Sequence, residues 1–213
     1  MPPSPAAPFN RPLPFSRPGH KRRIEVFSPK LSRRLSLSSY DAWRTWLALE
    51  ANPAVLVFCE RPCRIAGPKS ATVDFWVRLQ GSTAGEFWLL ADPAAVGTHG
   101  SGTAATTPTR LHNLPVRPVC CVDLAAWSVP LANWAHIVQI LVSYRRFRDQ
   151  LLEQSLVVFL GSQNSLDTIA RRFAEYDGGS VEAALFWLVA GGRVVSPDLA
   201  LAPLSGATRF RRR

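Results

Sequence analysis

The stretch YDAWRTWLALEANP (residues 40–53) opens the part of the chain that decides the fold. Trp43, Trp46 and Leu47 recur at the spacing of one face of a helix. Pro53 cannot continue that helix, because proline lacks a backbone N–H and restricts the residue before it. The sequence therefore predicts a helix over residues 40–50.

Three runs rich in β-branched and aromatic residues follow this helix: VLVFC (55–59), ATVDFWVRL (71–79) and EFWLL (86–90). Such runs, bounded by Pro, Gly and polar residues, predict strands. A last strand is predicted over residues 116–124, and a helix over residues 131–154 follows it. Strands between helices indicate an α/β domain.

The second strand carries one carboxylate near its start, Asp74. Phosphodiester hydrolysis needs a metal ion that polarises the phosphoryl oxygen and activates water, and carboxylates that hold this ion. The other acids that we consider are Asp41 on the preceding helix and Asp92 after the third strand; Glu50 suits the helix end better. The alternative is that Asp74 is a solvent-edge residue without a catalytic role.

The words LALEANPAVLVFCERP (47–62) and ATVDFWVRL (71–79) resemble the core of the restriction-endonuclease-like nucleases. More narrowly, they resemble the TnsA-type endonuclease subunit of heteromeric bacterial transposases. The resemblance implies a mixed sheet flanked by helices, with Asp74 as the central metal-binding aspartate and Asp41 in place of the helix glutamate. It also implies Mg²⁺, transposon-end DNA as substrate, and two partners, an integrase-type transposase subunit and an AAA+ regulator.

The chain departs from that family at the third site position, where an acid or glutamine, a spacer and a lysine should end the strand. Here the strand ends in Ala91-Asp92-Pro93, and the nearest cations by sequence are Lys69 and Arg78. Two functions therefore stay open. One is a metal-dependent endonuclease with Asp74, Asp41 and Asp92 as catalytic residues and Asp74 and Asp92 as metal ligands. The other is a catalytically decayed nuclease fold that serves DNA binding and transposase assembly.

From residue 165 the pattern changes to short helices. Ser165 is a predicted N-cap for LDTIARRFAEYD (166–177), and Gly178-Gly179 is predicted to end that helix. A second helix is predicted over residues 180–190, and a strand or wing follows Gly191-Gly192. Helix, turn, helix and strand predict a small winged-helix-like domain over residues 155–213, which also resembles the C-terminal domain of the TnsA family. A third hypothesis is that the protein is a plain winged-helix repressor, which would need a self-complementary dimer interface.

The chain carries a formal net charge of +10, from 25 Lys and Arg against 15 Asp and Glu. Such an excess of arginine indicates a nucleic-acid partner, with a solvated basic surface as the alternative. Residues 1–34 are predicted to be a flexible, proline-rich basic arm, before a nuclease-like domain over residues 35–154. Residues 24–29 are either a short recognition strand or a tether, and we favour the tether. The candidate DNA-binding residues are Lys21, Arg22, Arg23, Arg33, Arg34, Arg171, Arg172, Arg209, Arg211, Arg212 and Arg213.

Other features of the sequence favour structural roles. Residues 94–111 are predicted to be a linker, because their glycines lack the lysine and helix of a phosphate-binding loop. The four cysteines have no convincing zinc spacing and are predicted to be buried thiols. The most apolar window, residues 125–144, contains polar residues such as Asn133 and His136 and is predicted to be a packed helix rather than a membrane span. With no apolar run typical of a secretion signal, the protein is predicted to be cytoplasmic.

Overall fold

The computed structural model describes residues 9–15, 23–65, 71–91 and 109–213, apart from the side chain of Cys121. The strands are β1 (Ile24–Ser28), β2 (Arg33–Leu37), β3 (Val55–Glu60), β4 (Phe75–Leu79), β5 (Glu86–Ala91), β6 (Arg110–Leu111), β7 (Leu114–Cys120), β8 (Asn164–Ser165), β9 (Val194–Val195) and β10 (Arg209–Arg212). The helices are α1 (Tyr40–Ala51), α2 (Cys121–Ala126), α3 (Ser128–Ser143), α4 (Gln150–Phe159), α5 (Leu166–Arg172), α6 (Gly178–Ala190) and α7 (Asp198–Leu201).

The chain divides into two compact units. The first unit takes residues 1–26, 34–45 and 55–126, and the second takes 27–33, 46–54 and 127–213. The last change of unit thus lies between residues 126 and 127. The sequence-based domains, 1–34, 35–154 and 155–213, stay predictions about which parts fold independently.

A five-stranded mixed sheet with the order β3-β4-β5-β7-β6 forms the first unit. Strands β3, β4 and β5 run antiparallel as a meander, whereas β5 and β7 run parallel. The turn between β4 and β5 contains Gly81 and Gly85, both at positive φ, where a side chain would be strained. This sheet establishes a mixed α/β fold, as the sequence predicted.

One face of this sheet buries an apolar cluster of Cys59, Val73, Trp76 and Phe87. Phe9 packs against the cluster, with its ring centroid 5.1 Å from that of Phe87. Cys59 is a buried thiol, as predicted, and it faces Trp76 across the β3–β4 ladder. The alternation of side chains along the strands therefore places the core of this unit on the sheet face.

Two parts of the sheet differ from the predicted strands. Strand β4 begins only at Phe75, because the residues before it make a separate short pairing in which Arg64 bridges Thr72. Strand β7 ends at Cys120, and helix α2 replaces the predicted end of that strand. The last two residues of the predicted linker, Arg110–Leu111, form β6. Residues 92–108 lie outside the described part of the chain.

Residues 24–37 form a two-stranded hairpin of β1 and β2. The prediction of a tether within a flexible arm is therefore wrong for residues 24–34. Ser32 takes a positive φ of 53° in the turn of the hairpin. Residues 1–8 and 16–22 of the predicted arm lie outside the described residues.

The predicted helix over residues 131–154 is two helices, α3 and α4, separated by residues 144–149. The Asp149 side chain starts the second helix, because it accepts hydrogen bonds from the backbone N–H groups of Leu151 (2.8 Å) and Leu152 (3.1 Å). An N-cap of this kind satisfies donors that have no partner inside the helix.

Ser165 caps α5 as predicted, accepting a hydrogen bond from Thr168 N at 3.2 Å. The predicted role of Gly178-Gly179 is wrong, because α5 ends at Arg172 and these glycines begin α6 behind the N-cap Asp177. Gly191 and Gly192 follow the end of α6 as predicted, with Gly192 at a φ of +70°.

A three-stranded antiparallel sheet with the order β8-β10-β9 completes the second unit. Phe210 in its central strand is fully buried, and its ring centroid lies 6.4 Å from that of Phe186 in α6. His136 is exposed on α3. None of the described helices is both long and apolar enough to cross a bilayer.

Asn133 ties α3 to the segment around α7. It is 4% exposed, its Nδ2 donates to Leu199 O (2.9 Å) and Ala202 O (2.8 Å), and its Oδ1 accepts from Leu204 N (2.8 Å). We expect Asn133→Leu to lower the free energy of unfolding by about 3 kcal/mol, because it leaves these main-chain groups unsatisfied. Urea unfolding measures the change. Gln139→Leu, at an exposed position of the same helix, is the control and should stay within about 0.5 kcal/mol of wild type.

Candidate functional site

Asp74 lies directly before β4 and connects three segments of the first unit. Its Oδ2 accepts a hydrogen bond from Leu90 N on β5 at 2.8 Å, and its carbonyl oxygen accepts one from Arg61 N at 2.9 Å. The carboxylate therefore holds the start of β4 against the end of β5.

The register of β4 and β5 decides which residues surround Asp74. Phe75 faces Trp88 and Trp76 faces Phe87, so one further step along the ladder places Asp74 opposite Leu89. The residues that end β5 here, Leu89, Leu90 and Ala91, are all apolar. Asp92, the acid that the sequence offers for this position, lies outside the described residues, as does Lys69.

Asp41 lies in the first turn of α1, where a carboxylate is favoured by the helix dipole. Its Oδ1 is 3.7 Å from Arg44 Nη1, and its carbonyl oxygen accepts from Thr45 Oγ1 at 2.8 Å. Within the described segments, no group of three His, Cys, Asp or Glu residues is arranged to hold a metal ion.

Three exposed arginines of the second unit, Arg209, Arg211 and Arg212, lie on β10. Phe210 points into the core, and the neighbouring Arg209 and Arg211 are exposed, as the alternation of a strand requires. Arg209 donates to Asp198 Oδ2 from its backbone N (3.0 Å) and its Nε (3.2 Å). These hydrogen bonds lower the pKa of Asp198, and the bond from the Arg209 backbone N has the largest effect. Arg209 is thus held in place while its guanidinium stays at the surface.

Arg212 and Arg213 continue this basic segment and are both exposed. Arg211 pairs with Val195 and Arg212 with Val194 in the β9–β10 ladder. The backbone N of Arg213 donates to Arg193 O at 3.0 Å, which adds a further exposed arginine beside the end of the chain. Sequence reasoning missed Arg193, although its position just before the predicted wing strand could have indicated it.

The other candidate DNA-binding residues lie on separate elements. Arg23 pairs with Glu25 at 2.5 Å just before β1, Arg33 and Arg34 lie on β2, and Arg171 and Arg172 end α5. Arg172 stacks on Phe173, with its Cζ 5.5 Å from the ring centroid. Lys21 and Arg22 lie outside the described residues.

The predicted winged helix would use α6 as its recognition helix, but the composition of α6 does not suit that role. Its sequence, GGSVEAALFWLVA, contains no basic residue and one acid, Glu182. Seven of its side chains are buried. Phosphate and base contacts are made mainly by Arg, Lys and polar side chains, so α6 acts as a core helix.

A buried carboxylate in the second unit was not predicted. Glu50 is 3% exposed, and its carboxylate accepts hydrogen bonds from Ser28 Oγ, Lys30 N (3.2 Å) and Trp46 Nε1 (3.0 Å). Burial raises the pKa of Glu50 despite these bonds. The signal in the sequence was an acid near the C-terminal end of a helix, where the helix dipole disfavours negative charge.

Lys30 satisfies the end of α1. Its Nζ donates to Leu49 O and to Asn52 O, each at 2.7 Å, so it replaces the intrahelical donors that the last carbonyl groups lack. Burial lowers the pKa of Lys30 to about 8, and the neighbouring Glu50 opposes this shift. The contact attaches the hairpin turn to the helix end.

A cavity of about 340 Å³ in the second unit is lined by Lys30, Glu50, Trp134, Arg148 and Trp187, among others. Arg148 donates to both carboxylate oxygens of Glu153, at 2.6 and 3.2 Å. Its Cζ lies 4.7 Å from the ring centroid of Trp187. Lys30 donates to backbone carbonyl groups, Glu50 accepts three hydrogen bonds and Arg148 pairs with Glu153. These charges therefore serve the packing of the unit.

In comparisons with known proteins, the chain matches no protein-family model, and no curated protein matches it significantly.

The lowered pKa of Lys30 predicts a pH dependence of stability. Between pH 8 and 10.5 the unfolded chain binds more protons at this lysine than the folded chain does, so the free energy of unfolding rises with pH in that window. The rise due to Lys30 should reach at most about 3 kcal/mol. Urea unfolding of wild type and Lys30→Met across this range checks it.

The difference between wild type and Lys30→Met isolates this lysine from tyrosine and cysteine groups that titrate in the same range. We expect the stability of Lys30→Met to rise less steeply than that of wild type. Arg146→Met, which removes an exposed cation of the same unit, is the control and should keep the wild-type slope. Equal slopes for all three proteins would contradict the account of Lys30.

Proposed function

We propose that the protein binds transposon-end DNA as a subunit of a TnsA-like transposase, with β10 and the residues after it as the principal contact surface. The observation that carries the proposal is the alternation on β10, where Phe210 is fully buried and its neighbours Arg209 and Arg211 are exposed. A rigid strand presents these cations at fixed spacing, so less side-chain and backbone freedom is lost on binding than with a free tail.

The arrangement of the second unit supports this proposal. Helices α5 and α6 are followed by β9 and β10, and β10 lies between β8 and β9. This order is compatible with the winged-helix-like domain that the sequence suggests. Because α6 is apolar and buried, the proposed DNA contact lies on the strands of the sheet rather than on that helix.

The first unit supports the nuclease-like half of the proposal. Its antiparallel meander β3-β4-β5 and its parallel strand β7 are compatible with a restriction-endonuclease-like sheet. By the same resemblance we propose an integrase-type transposase subunit and an AAA+ regulator as partners.

Between the two forms of this function, we favour the catalytically decayed module for DNA binding and assembly. The observation behind this choice is that Asp74 accepts the Leu90 amide beside the end of β5, where Leu89, Leu90 and Ala91 are all apolar. Metal-dependent hydrolysis with Mg²⁺ is the second candidate. It would need Asp92 as a further ligand beside Asp74, and Asp41 as the third carboxylate.

Replacing Arg211, Arg212 and Arg213 together by alanine should weaken binding to duplex DNA. Three lost phosphate contacts should reduce the slope of log K against log salt concentration by about 2 to 3, and affinity should fall at least about tenfold near 0.15 M salt. Fluorescence anisotropy with labelled transposon-end DNA measures both quantities.

The control for this experiment removes the same charge elsewhere. Arg110, Arg117 and Arg146 are exposed and lie outside β10, so their triple alanine variant should bind DNA more tightly than the β10 variant. If both variants lose the same affinity, only net charge matters and the proposed contact surface is wrong.

Asp74→Ala separates the two forms of the function. We expect no metal-dependent cleavage of transposon-end DNA by the wild type with its neighbouring transposase subunits, in Mg²⁺ or Mn²⁺, and unchanged DNA binding by the variant. Asp74→Asn is the matched variant, because its amide oxygen can still accept the Leu90 N–H. Cleavage by the wild type that disappears in both variants would instead establish hydrolysis and reject the decayed module.

A further inference from the structure

The carboxylate of Asp198 replaces a strand partner of Arg209 at the start of β10. In the β9–β10 ladder Arg211 pairs with Val195, so two residues further along Arg209 would face Pro197. Strand β9 ends at Val195, and the carbonyl oxygen of Pro197 accepts a backbone N–H of α7 at 3.1 Å instead. Asp198 Oδ2 accepts the Arg209 backbone N–H at 3.0 Å. A side chain therefore completes the hydrogen bonding where the neighbouring strand stops.

The packing of α7 fixes the position of Asp198. The next residue, Leu199, is 5% exposed, and its carbonyl oxygen accepts a hydrogen bond from Asn133 Nδ2 at 2.9 Å. The same Nδ2 donates to Ala202 O at 2.8 Å, just after the helix. The Asp198 side chain is 23% exposed and that of Arg209 is 60% exposed. Asp198 is therefore the fixed member of this ion pair, and Arg209 is the member that gains order from it.

The same carboxylate oxygen also orients the guanidinium group of Arg209. Asp198 Oδ2 accepts the Nε–H of Arg209 at 3.2 Å. Because a guanidinium is planar, a hydrogen bond at Nε restricts the rotation of the whole group. Among the described residues, neither Nη1 nor Nη2 of Arg209 has a hydrogen-bond partner. These two nitrogens form a fork of parallel donors, which matches two oxygens of one phosphate group.

We propose that Asp198 is a positioning residue for DNA binding, which holds Arg209 with both Nη groups ready to bind one phosphate group of the duplex. This inference rests on the proposed DNA-binding function of β10. A carboxylate close to phosphate groups ordinarily weakens binding, because like charges repel. Here the acid strengthens it, since an arginine that is already oriented loses less side-chain freedom when DNA binds.

Asp198→Ala tests this role, because charge repulsion alone and positioning predict opposite changes in affinity. We expect Asp198→Ala to weaken binding to labelled duplex DNA about three- to tenfold in fluorescence anisotropy, which is the cost of ordering one long side chain. The control Glu175→Ala removes an exposed acid elsewhere in the second unit and should bind at least as tightly as wild type. An Asp198→Ala variant that binds as tightly as this control overturns the proposal.

A double-mutant cycle with Arg209→Ala separates positioning from a purely structural role. We expect Arg209→Ala to weaken binding by itself, and Asp198→Ala to cause no further loss in that background, because no guanidinium remains to be held. An equal loss in both backgrounds would mean that Asp198 only keeps β10 folded, and it would reject the proposal. Asp198→Asn keeps an acceptor oxygen for both hydrogen bonds and should recover part of the affinity that Asp198→Ala loses.

The cycle also distinguishes the failure of this inference from the failure of the proposed function. If Arg209→Ala binds DNA as tightly as wild type, β10 is not the contact surface, and the proposed function fails together with the role of Asp198. If Arg209→Ala weakens binding and Asp198→Ala does not, the proposed function stands and only the positioning role is rejected.

Discussion

Burial of Phe210 is the constraint on which the C-terminal sheet and its basic surface depend. The ring is fully buried against Phe186, and removing such a core aromatic side chain costs about 3–5 kcal/mol. Because strand side chains alternate, burying Phe210 directs Arg209 and Arg211 away from the core. The same packing that stabilises the sheet therefore fixes the positions of the cations that we propose for DNA binding. A shift of β10 by one residue in its register would expose Phe210 and turn these arginines towards the core.

In the first unit, the carboxylate expected to hold a metal has a structural partner. Asp74 accepts the amide of Leu90, and the strand end beside it is apolar. This bond holds the carboxylate against β5. Together with the apolar end of β5, it makes a role in strand pairing the simplest account of Asp74. The basic strand β10 then carries the proposed function.

The sequence predicted those elements whose signals are local. Helix α1, strands β3 and β5 and the Ser165 cap follow from periodicity and capping chemistry. The break between α3 and α4 was missed although the segment between them, YRRFRD (144–149), is mostly charged, and the Asp149 cap marks the new start. The Lys30–Glu50 pair joins residues 20 apart through tertiary contact, which no periodicity encodes. For the site, the exposed arginines of β10 were predicted individually, but their common strand required the pairing with β9 and β8.

Arginine footprinting tests the proposed DNA surface most directly. Phenylglyoxal modifies exposed guanidinium groups, and mass spectrometry reports the extent at each residue with and without duplex DNA. Our account predicts that DNA protects Arg209, Arg211, Arg212 and Arg213 several-fold more than Arg110 and Arg117, which are also exposed. Equal modification of the β10 arginines in the presence and absence of saturating DNA would contradict it.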